Sequence, residues 1–179
     1  MKVLETKRLI LRPFQLDDSE AMFDYAKRED VGPNAGWKPH ENIDETRQVI
    51  ESFMEKNEVY AIELRETKTV IGSLGVHYRT LGQFGDVYEL GYVLHPNYHR
   101  RGIMTEAVKE ILEYFFVSMD QEMIYVGHFE ENTPSRKLIE KMGFKWVEDI
   151  EYQSKDYGMK HSKIYRLSKL DFALMKEKK

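Results

Sequence analysis

One segment limits the architectures open to this chain more than any other. Residues 87–94, VYELGYVL, carry a strand pattern, and the best amphipathic helical pattern, 102–117, follows after a short basic loop. In the strand Tyr88, Leu90, Tyr92 and Leu94 share one face, and Val87, Glu89, Gly91 and Val93 share the other. In the helix Ile103, Met104, Ala107, Val108, Ile111, Leu112 and Phe115 line one side. Residues 123–128, MIYVGH, read as the next strand. A strand–helix–strand unit predicts a parallel pair of strands in one sheet.

The rest of the chain predicts a different pairing around that unit. Segment 7–14 is β-rich and ends at Pro13. Asp17, Asp18 and Ser19 open a helical stretch with Ala21, Met22, Tyr25 and Ala26 at helical spacing. Two Pro, two Gly and an Asn predict a loop over 31–40. A second helix is expected over 43–56. Strands at 58–65 and 69–79 form a hairpin around Glu66-Thr67-Lys68. After 128, the pattern predicts a helix at 133–142 with Pro134 in its first turn and Gly143 as its stop. Strands near 144–153 and 160–167 complete the chain. Consecutive strands over 58–94 pair antiparallel. The expected fold class is therefore α/β (α+β): a mixed, mostly antiparallel central sheet flanked by helices.

Composition narrows the function classes. A chain of 179 residues, 41% hydrophobic and 32% charged, suits one soluble domain spanning 1–179. No stretch approaches the roughly 20 apolar residues of a membrane span. The opening MKVLETKRLILRPF turns polar at once, which makes the cytoplasm the expected location. There are no cysteines, so neither a disulfide nor an enzyme-bound thioester is available. A net charge of −4 fits nucleic-acid binding poorly. The KEKK tail is expected to be a solvated terminus.

The loop Tyr98-His99-Arg100-Arg101-Gly102-Ile103-Met104-Thr105-Glu106-Ala107 carries the chemistry. A turn entering a helix aims backbone N–H groups at one point, with the helix dipole behind them. Gly102 lets an anion approach the backbone, and Arg100 and Arg101 add positive charge. Read from the residues alone, the loop is either a phosphate site or a basic cap on a helix. It is not a P-loop and not a GxGxxG turn.

This loop resembles the acetyl-CoA pyrophosphate loop of the GNAT acetyltransferases, Gln/Arg-x-x-Gly-x-Gly/Ala. His99, Gly102 and Met104 fill the patterned places, and His99 and Met104 depart from the commonest residues. Glu89-Leu90-Gly91-Tyr92-Val93-Leu94 is similar to the strand before that loop. Asn132-Thr133-Pro134-Ser135 with Glu140-Lys141-Met142-Gly143-Phe144 is similar to the family's second cofactor-side segment. Thr6-Lys7-Arg8-Leu9-Ile10-Leu11-Arg12-Pro13 resembles the first strand of the RimJ/RimL-type ribosomal-protein N-terminal acetyltransferase branch. The resemblance covers nearly the whole chain, in order.

The resemblance implies direct attack of a primary amine on the acetyl-CoA thioester in a ternary complex. Such a reaction needs a proton acceptor, a stabilised oxyanion and a proton for the departing thiolate. Glu89 is the candidate base, directly or through water, with binding of the amine as a second role and a surface ion pair as the structural alternative. Ser135 is the candidate proton donor to sulfur, with Tyr98, Tyr125 and Tyr157 as substitutes and a backbone-bonding helix Ser as the alternative. Val93 and Leu94 are expected to offer strand-edge groups to the pantetheine arm, and Asn132 to hydrogen-bond it or cap a helix. His99, Arg100, Arg101, Gly102, Ile103, Met104 and Thr105 are the expected loop contacts. Trp37 either lines the acceptor pocket or anchors its loop in the core. Glu130 and Glu131 are either solvated or attract a cationic amine. His95 and His99 stand four apart, but Pro96 lies between them and no further ligand is near, so no metal is expected. The acceptor is a protein N-terminus or a small amine, with a slight preference for the peptide amine, and the family suggests a monomer or homodimer. A non-catalytic acyl-CoA-binding module is the alternative class.

Overall fold

The strand at Val59–Leu64 shows what the sheet requires. Tyr60 and Ile62 bury on one face, Val59 and Ala61 on the other, because successive side chains alternate. A strand apolar on both faces must be covered on both sides. In the computed structural model, which describes residues 1–177, helices supply both covers.

The strands in chain order are β1 (Leu4–Glu5), β2 (Leu9–Pro13), β3 (Val59–Leu64), β4 (Val70–Thr80), β5 (Asp86–Leu94), β6 (Met123–Phe129), β7 (Lys145–Ser154) and β8 (Gly158–Ser168). They form one eight-stranded sheet in the order β1-β2-β3-β4-β5-β6-β8-β7. Every neighbouring pair is antiparallel except β5–β6, which is parallel. This is the mixed, mostly antiparallel sheet that the sequence predicts.

The helices are α1 (Ser19–Ala26), α2 (Gly32–Ala35), α3 (Ile43–Lys56), α4 (Ile103–Glu113), α5 (Thr133–Lys141) and α6 (Lys169–Glu177). Helices α1 and α3 cover one face through Met22, Tyr25, Ala26 and Ile50. Helix α4 covers the other through Ile103, Met104, Ala107, Val108, Ile111 and Leu112. Burying the four largest aliphatic side chains of α4 stabilises by roughly 6–12 kcal/mol before the entropy of ordering them is subtracted. Packing thus outweighs the tenths of a kcal/mol that propensity contributes per residue. Helix α3 is bounded by two asparagines. Asn42 Oδ1 accepts from Glu45 N at 2.9 Å, and Asn57 closes the helix at φ 55°.

Two local expectations need correction. The 31–40 segment is not all loop: Gly32–Ala35 makes one helical turn, with Pro33 in its first turn and Gly36 at φ 89° ending it. The long helix does not run regularly to residue 117. It is α-helical to Glu113 and widens into a π-helical segment at Tyr114–Ser118. That segment buries both Phe115 and Phe116, and Phe116 stacks on Phe172 of α6 at 5.0 Å. Strand β1 and helix α6 have no counterpart in the sequence reading; β1 is too short to show a period. Within the KEKK tail, Lys176 and Glu177 end α6 and are exposed, as expected of a solvated terminus, with Lys176 Nζ donating to Glu113 at 2.7 Å; 178–179 lie outside the described residues.

One irregularity positions the site. Strands β5 and β6 pair only at Glu89–Tyr125 and Leu90–Val126 among the described residues. Beyond Leu90 the two parallel strands separate, while β5 stays paired with β4 as far as Leu94. The β6-facing backbone edge of residues 91–94 is left without a strand partner, and it opens into the space where β5 runs into the basic loop.

Candidate active site

Two clefts meet at that opening. The loop-side cleft, of about 680 Å³, is lined by Val93 and Leu94, by loop residues 98–100 and 102, by the first turn of α4, and by α5. The sheet-face cleft, of about 420 Å³, lies under Trp37 and Phe53 and reaches Glu89, His128 and Tyr152. Tyr92, Val93, Asn34, Ala35, Asn132 and Ser135 line both.

The loop owes its shape to backbone conformations that side chains disfavour. Arg100 sits at φ 59° and Gly102 at φ 70°, with Ile103 beginning α4 immediately after. Left-handed residues just before a helix turn successive N–H groups toward one side, which is the geometry of an anion cradle. A Cβ at Gly102 would find only the Arg8 guanidinium, at 3.7 Å, so the space over the loop is open. The loop is tied from behind. Arg8 Nη1 donates to the Arg101 carbonyl at 2.9 Å, Arg8 Nε to Glu106 at 2.7 Å, and the Thr6 hydroxyl to Glu106 at 2.6 Å. His99 Nε2 lies 3.0 Å from the Leu94 carbonyl, closing the loop back on the strand end.

The shape and order of these parts match a known family. The model of the acetyltransferase (GNAT) domain matches residues 8–145. The chain belongs to the GNAT acetyltransferase family. It is similar to the uncharacterized N-acetyltransferase YoaA of Bacillus subtilis, 33% identical over 148 residues that cover 80% of this chain and 82% of that one. It is 31% identical to YnaD of the same organism, over 79% of this chain and 82% of that one. Its fold superposes on a GNAT-family acetyltransferase from Bacillus anthracis with a TM-score of 0.83 at 24% identity, covering 94% and 99% of the two chains. It also superposes on a ribosomal-protein-S5-alanine acetyltransferase from Vibrio fischeri, TM-score 0.75 at 16% identity, covering 96% and 99%. This GNAT chain is an acetyl-CoA-dependent acetyltransferase, and acetyl-CoA is its acyl donor.

The residues present fit that donor. The open cradle at Gly102 suits a pyrophosphate, and the unpaired edge at 91–94 suits the amides of a pantetheine arm. Most expected contacts line the loop-side cleft: Val93, Leu94, His99, Arg100, Gly102, Ile103, Met104, Thr105 and Asn132. Arg101 is placed differently from the other loop residues. Its guanidinium lies over the Tyr98 ring at 5.5 Å, and it is outside the cleft lining among the described residues. The Leu94 carbonyl, facing His99, is already engaged. Lys137 and Lys141 line this cleft as well and were not singled out. Their i, i+4 spacing on α5 was a readable signal for one cationic helix face.

Asn132 takes the capping role foreseen for it and lines the loop-side cleft. Its Oδ1 accepts from Ser135 N at 3.2 Å and caps α5, while its Nδ2 donates to the Asn34 carbonyl at 3.2 Å. It thereby ties α5 to the turn of α2 at the junction of the clefts. Ser135 Oγ lies 2.8 Å from the Tyr92 hydroxyl. Burial pushes the Tyr92 phenol up to about 12, with Ser135 opposing. Of the tyrosines named as substitutes for Ser135, Tyr98 lines the loop-side cleft with it, and Tyr125 and Tyr157 line neither cleft among the described residues. Tyr98 stacks edge-on to His95, and Tyr125 packs on Phe84. Tyr92 was read only as an apolar-face residue, because the helix whose serine it meets lies 43 residues away in sequence.

Glu89 is buried, 9% exposed, and lines the sheet-face cleft. Across the β4–β5 ladder it faces His77, and Arg79, two residues further on, forms an ion pair with it. Burial raises the Glu89 pKa above the ordinary carboxylate value, and Arg79 and His77 oppose this. Trp37 lines the same cleft, packs its ring against Gly32 and sits 5.3 Å from His40, so pocket wall and loop anchor are one position. Glu130 and Glu131 pair with Lys163 and Lys160, outside both linings among the described residues.

His95 accepts from Asn97 N on Nδ1 at 3.1 Å, which leaves Nε2 to donate to Asp24 at 3.2 Å. Both nitrogens are occupied. Among the described residues no group of three or more His, Asp or Glu side chains is arranged to hold a metal, and no helix is long and apolar enough to cross a membrane.

Proposed function

We propose that the enzyme transfers the acetyl group directly to a primary amine seated in the sheet-face cleft, with Glu89 as proton acceptor and the Tyr92–Ser135 hydroxyl pair as proton donor. The observation that carries this reading is the meeting of the two clefts at Tyr92 and Ser135. A donor entering along the loop and an acceptor entering over the sheet would meet at this shared lining, where Tyr92 and Ser135 supply the hydroxyl groups.

Bound acetyl-CoA supplies an activated carbonyl. The backbone N–H groups around Gly102, with Arg100, Lys137 and Lys141 on the cleft walls, hold its phosphates. The unpaired edge of β5 orients the pantetheine arm, and Asn132 fixes the wall opposite.

Glu89 removes a proton from the acceptor nitrogen, because only the neutral amine has a free electron pair. A raised carboxyl pKa brings Glu89 nearer to working pH, where a base is most effective. The nitrogen bonds to the acetyl carbon and the carbon–sulfur bond breaks. The sulfur takes a proton from the Tyr92–Ser135 pair, which stays protonated at neutral pH and so is always loaded as a donor. The lack of cysteine anywhere in the chain agrees with one-step transfer rather than a thioester relay.

The test is release of CoA thiol from acetyl-CoA against a panel of amines that includes short peptides with different N-terminal residues. Release with one amine class supports the reading. Tight acetyl-CoA binding by calorimetry with no release from any amine would favour a non-catalytic binding module, and no binding at all would overturn the site.

A further inference from the structure

The sheet-face cleft carries an unusual charge arrangement for a cavity meant to receive an amine. Among the described residues that line it, Glu89 is the one carboxylate, while Arg79 and Lys155 supply two cations. Glu89 does not face the cavity alone: its carboxylate is paired with the Arg79 guanidinium. The pair is asymmetric in depth. The Glu89 side chain is 11% exposed and that of Arg79 41%, so the anion lies inward and the cation toward solvent. Tyr152 lies beside Arg79, its hydroxyl 3.5 Å from Nη1 and its ring 5.7 Å from the guanidinium carbon. Lys155, exposed, lines the same cleft just after the end of β7.

A polyamine or other purely cationic acceptor fits this arrangement badly. Its ammonium would have to approach Glu89 against the field of Arg79, and its remaining charges would meet Lys155. A ligand that carries both signs fits it well. An ammonium can replace Arg79 at Glu89 while a carboxylate takes up the guanidinium, and the cleft keeps its charge balance throughout. Arginine can meet a carboxylate through two parallel hydrogen bonds, so the exchange replaces one ion pair by two.

Resting on the transfer reading above, we infer that the acceptor is a small zwitterionic amine, an α-amino acid or close analogue, whose carboxylate is held by Arg79 at the mouth of the cleft while its amine meets Glu89. The exchange also prepares the base. Once the substrate carboxylate engages Arg79, Glu89 loses the cation that holds it ionised and gains the ammonium whose proton it must take. Arg79 is then a specificity and positioning residue, and Lys155 adds long-range attraction at the rim.

The experiment measures CoA release with matched acceptors: leucine and phenylalanine, their methyl esters, their decarboxylated amines 3-methylbutylamine and phenethylamine, the leucyl and phenylalanyl dipeptide amides, and spermidine. The free amino acids should exceed their decarboxylated partners in kcat/KM by about tenfold or more, the worth of one charge-assisted hydrogen bond. Arg79→Gln should bring that ratio close to one, mainly through KM of the amino acid. Lys155→Gln, at an exposed position that folding tolerates, should lower the ratio severalfold with the donor Kd unchanged. Equal or better use of the decarboxylated amines or spermidine by the unmodified enzyme overturns the inference and leaves acetyl transfer standing. Preference for the dipeptide amides overturns it in favour of a peptide N-terminus. No release from any acceptor overturns the transfer reading itself.

Discussion

Replacing Glu89 by Gln tests base chemistry and structural pairing against each other, because the two make opposite predictions for stability. Glu89 is buried, and desolvation raises its pKa despite Arg79. A carboxyl whose pKa is higher in the folded than in the unfolded chain opposes folding wherever it is ionised. That penalty is absent below the unfolded value of about 4.3, grows as pH rises toward the folded value, and is complete above it. Each unit of such a shift is worth about 1.4 kcal/mol, and about 1 kcal/mol moves the Tm of a chain of this size by roughly 2–4 °C. Arg79, 41% exposed, can be rehydrated when its partner loses its charge. Glu89→Gln should therefore unfold at the same temperature or a few degrees higher at pH 7, while turnover falls by about 10²–10⁴-fold, the usual worth of a positioned base. Differential scanning fluorimetry and initial rates of CoA release read both. The rate profile supplies a third check. A carboxylate base fails as it protonates, so the wild-type rate should fall on the acid side at a pH above the ordinary carboxylate range, and this limb should vanish in the variant. A Tm several degrees lower, with activity reduced only in proportion to the folded fraction, would show Glu89 to be a structural partner of Arg79 and would refute its role as base.

The remaining predictions concern the rest of the junction and the frame. Tyr92→Phe and Ser135→Ala each remove one end of the 2.8 Å contact and should lower kcat about tenfold or more with the KM for acetyl-CoA little changed; full turnover in both, by steady-state kinetics, would leave solvent as the proton source. Gly102→Ala meets no steric wall but places a Cβ at φ 70°, so about 1–2 kcal/mol of strain should lower Tm by a few degrees, and acetyl-CoA binding by calorimetry should weaken beyond that; unchanged affinity would argue against a cradle at this loop. Asp18→Asn breaks a partly buried network in which Arg12 bridges Asp18 and Glu63 at 2.8 and 2.6 Å, and should cost about 2–4 kcal/mol in denaturant unfolding.

The legibility of this chain follows from the range of the interactions concerned. The strand 87–94, the loop 98–105, the cap at Asn132 and the helix 43–56 each carry a signal that lies within a few residues of sequence. Hydrophobic period, the Gly102 turn and the Asn caps could therefore be read directly. Strand β1 has two residues and no period to read, and α6 needs Phe172 stacking on Phe116. The π-helical segment after Glu113 leaves no mark in an apolar pattern that looks helical either way.

The site divides along the same line. Sequence by itself placed a carboxylate on β5, a basic glycine-containing loop before α4 and a polar start to α5. Each of these is local chemistry on a local element. Tertiary structure alone decided that Tyr92 meets Ser135, that Arg79 lies diagonal to Glu89 in the β4–β5 register, and that β5 and β6 part after Leu90. These depend on strand register and on where distant segments pack. One residue of slip would have turned every side chain to the opposite face.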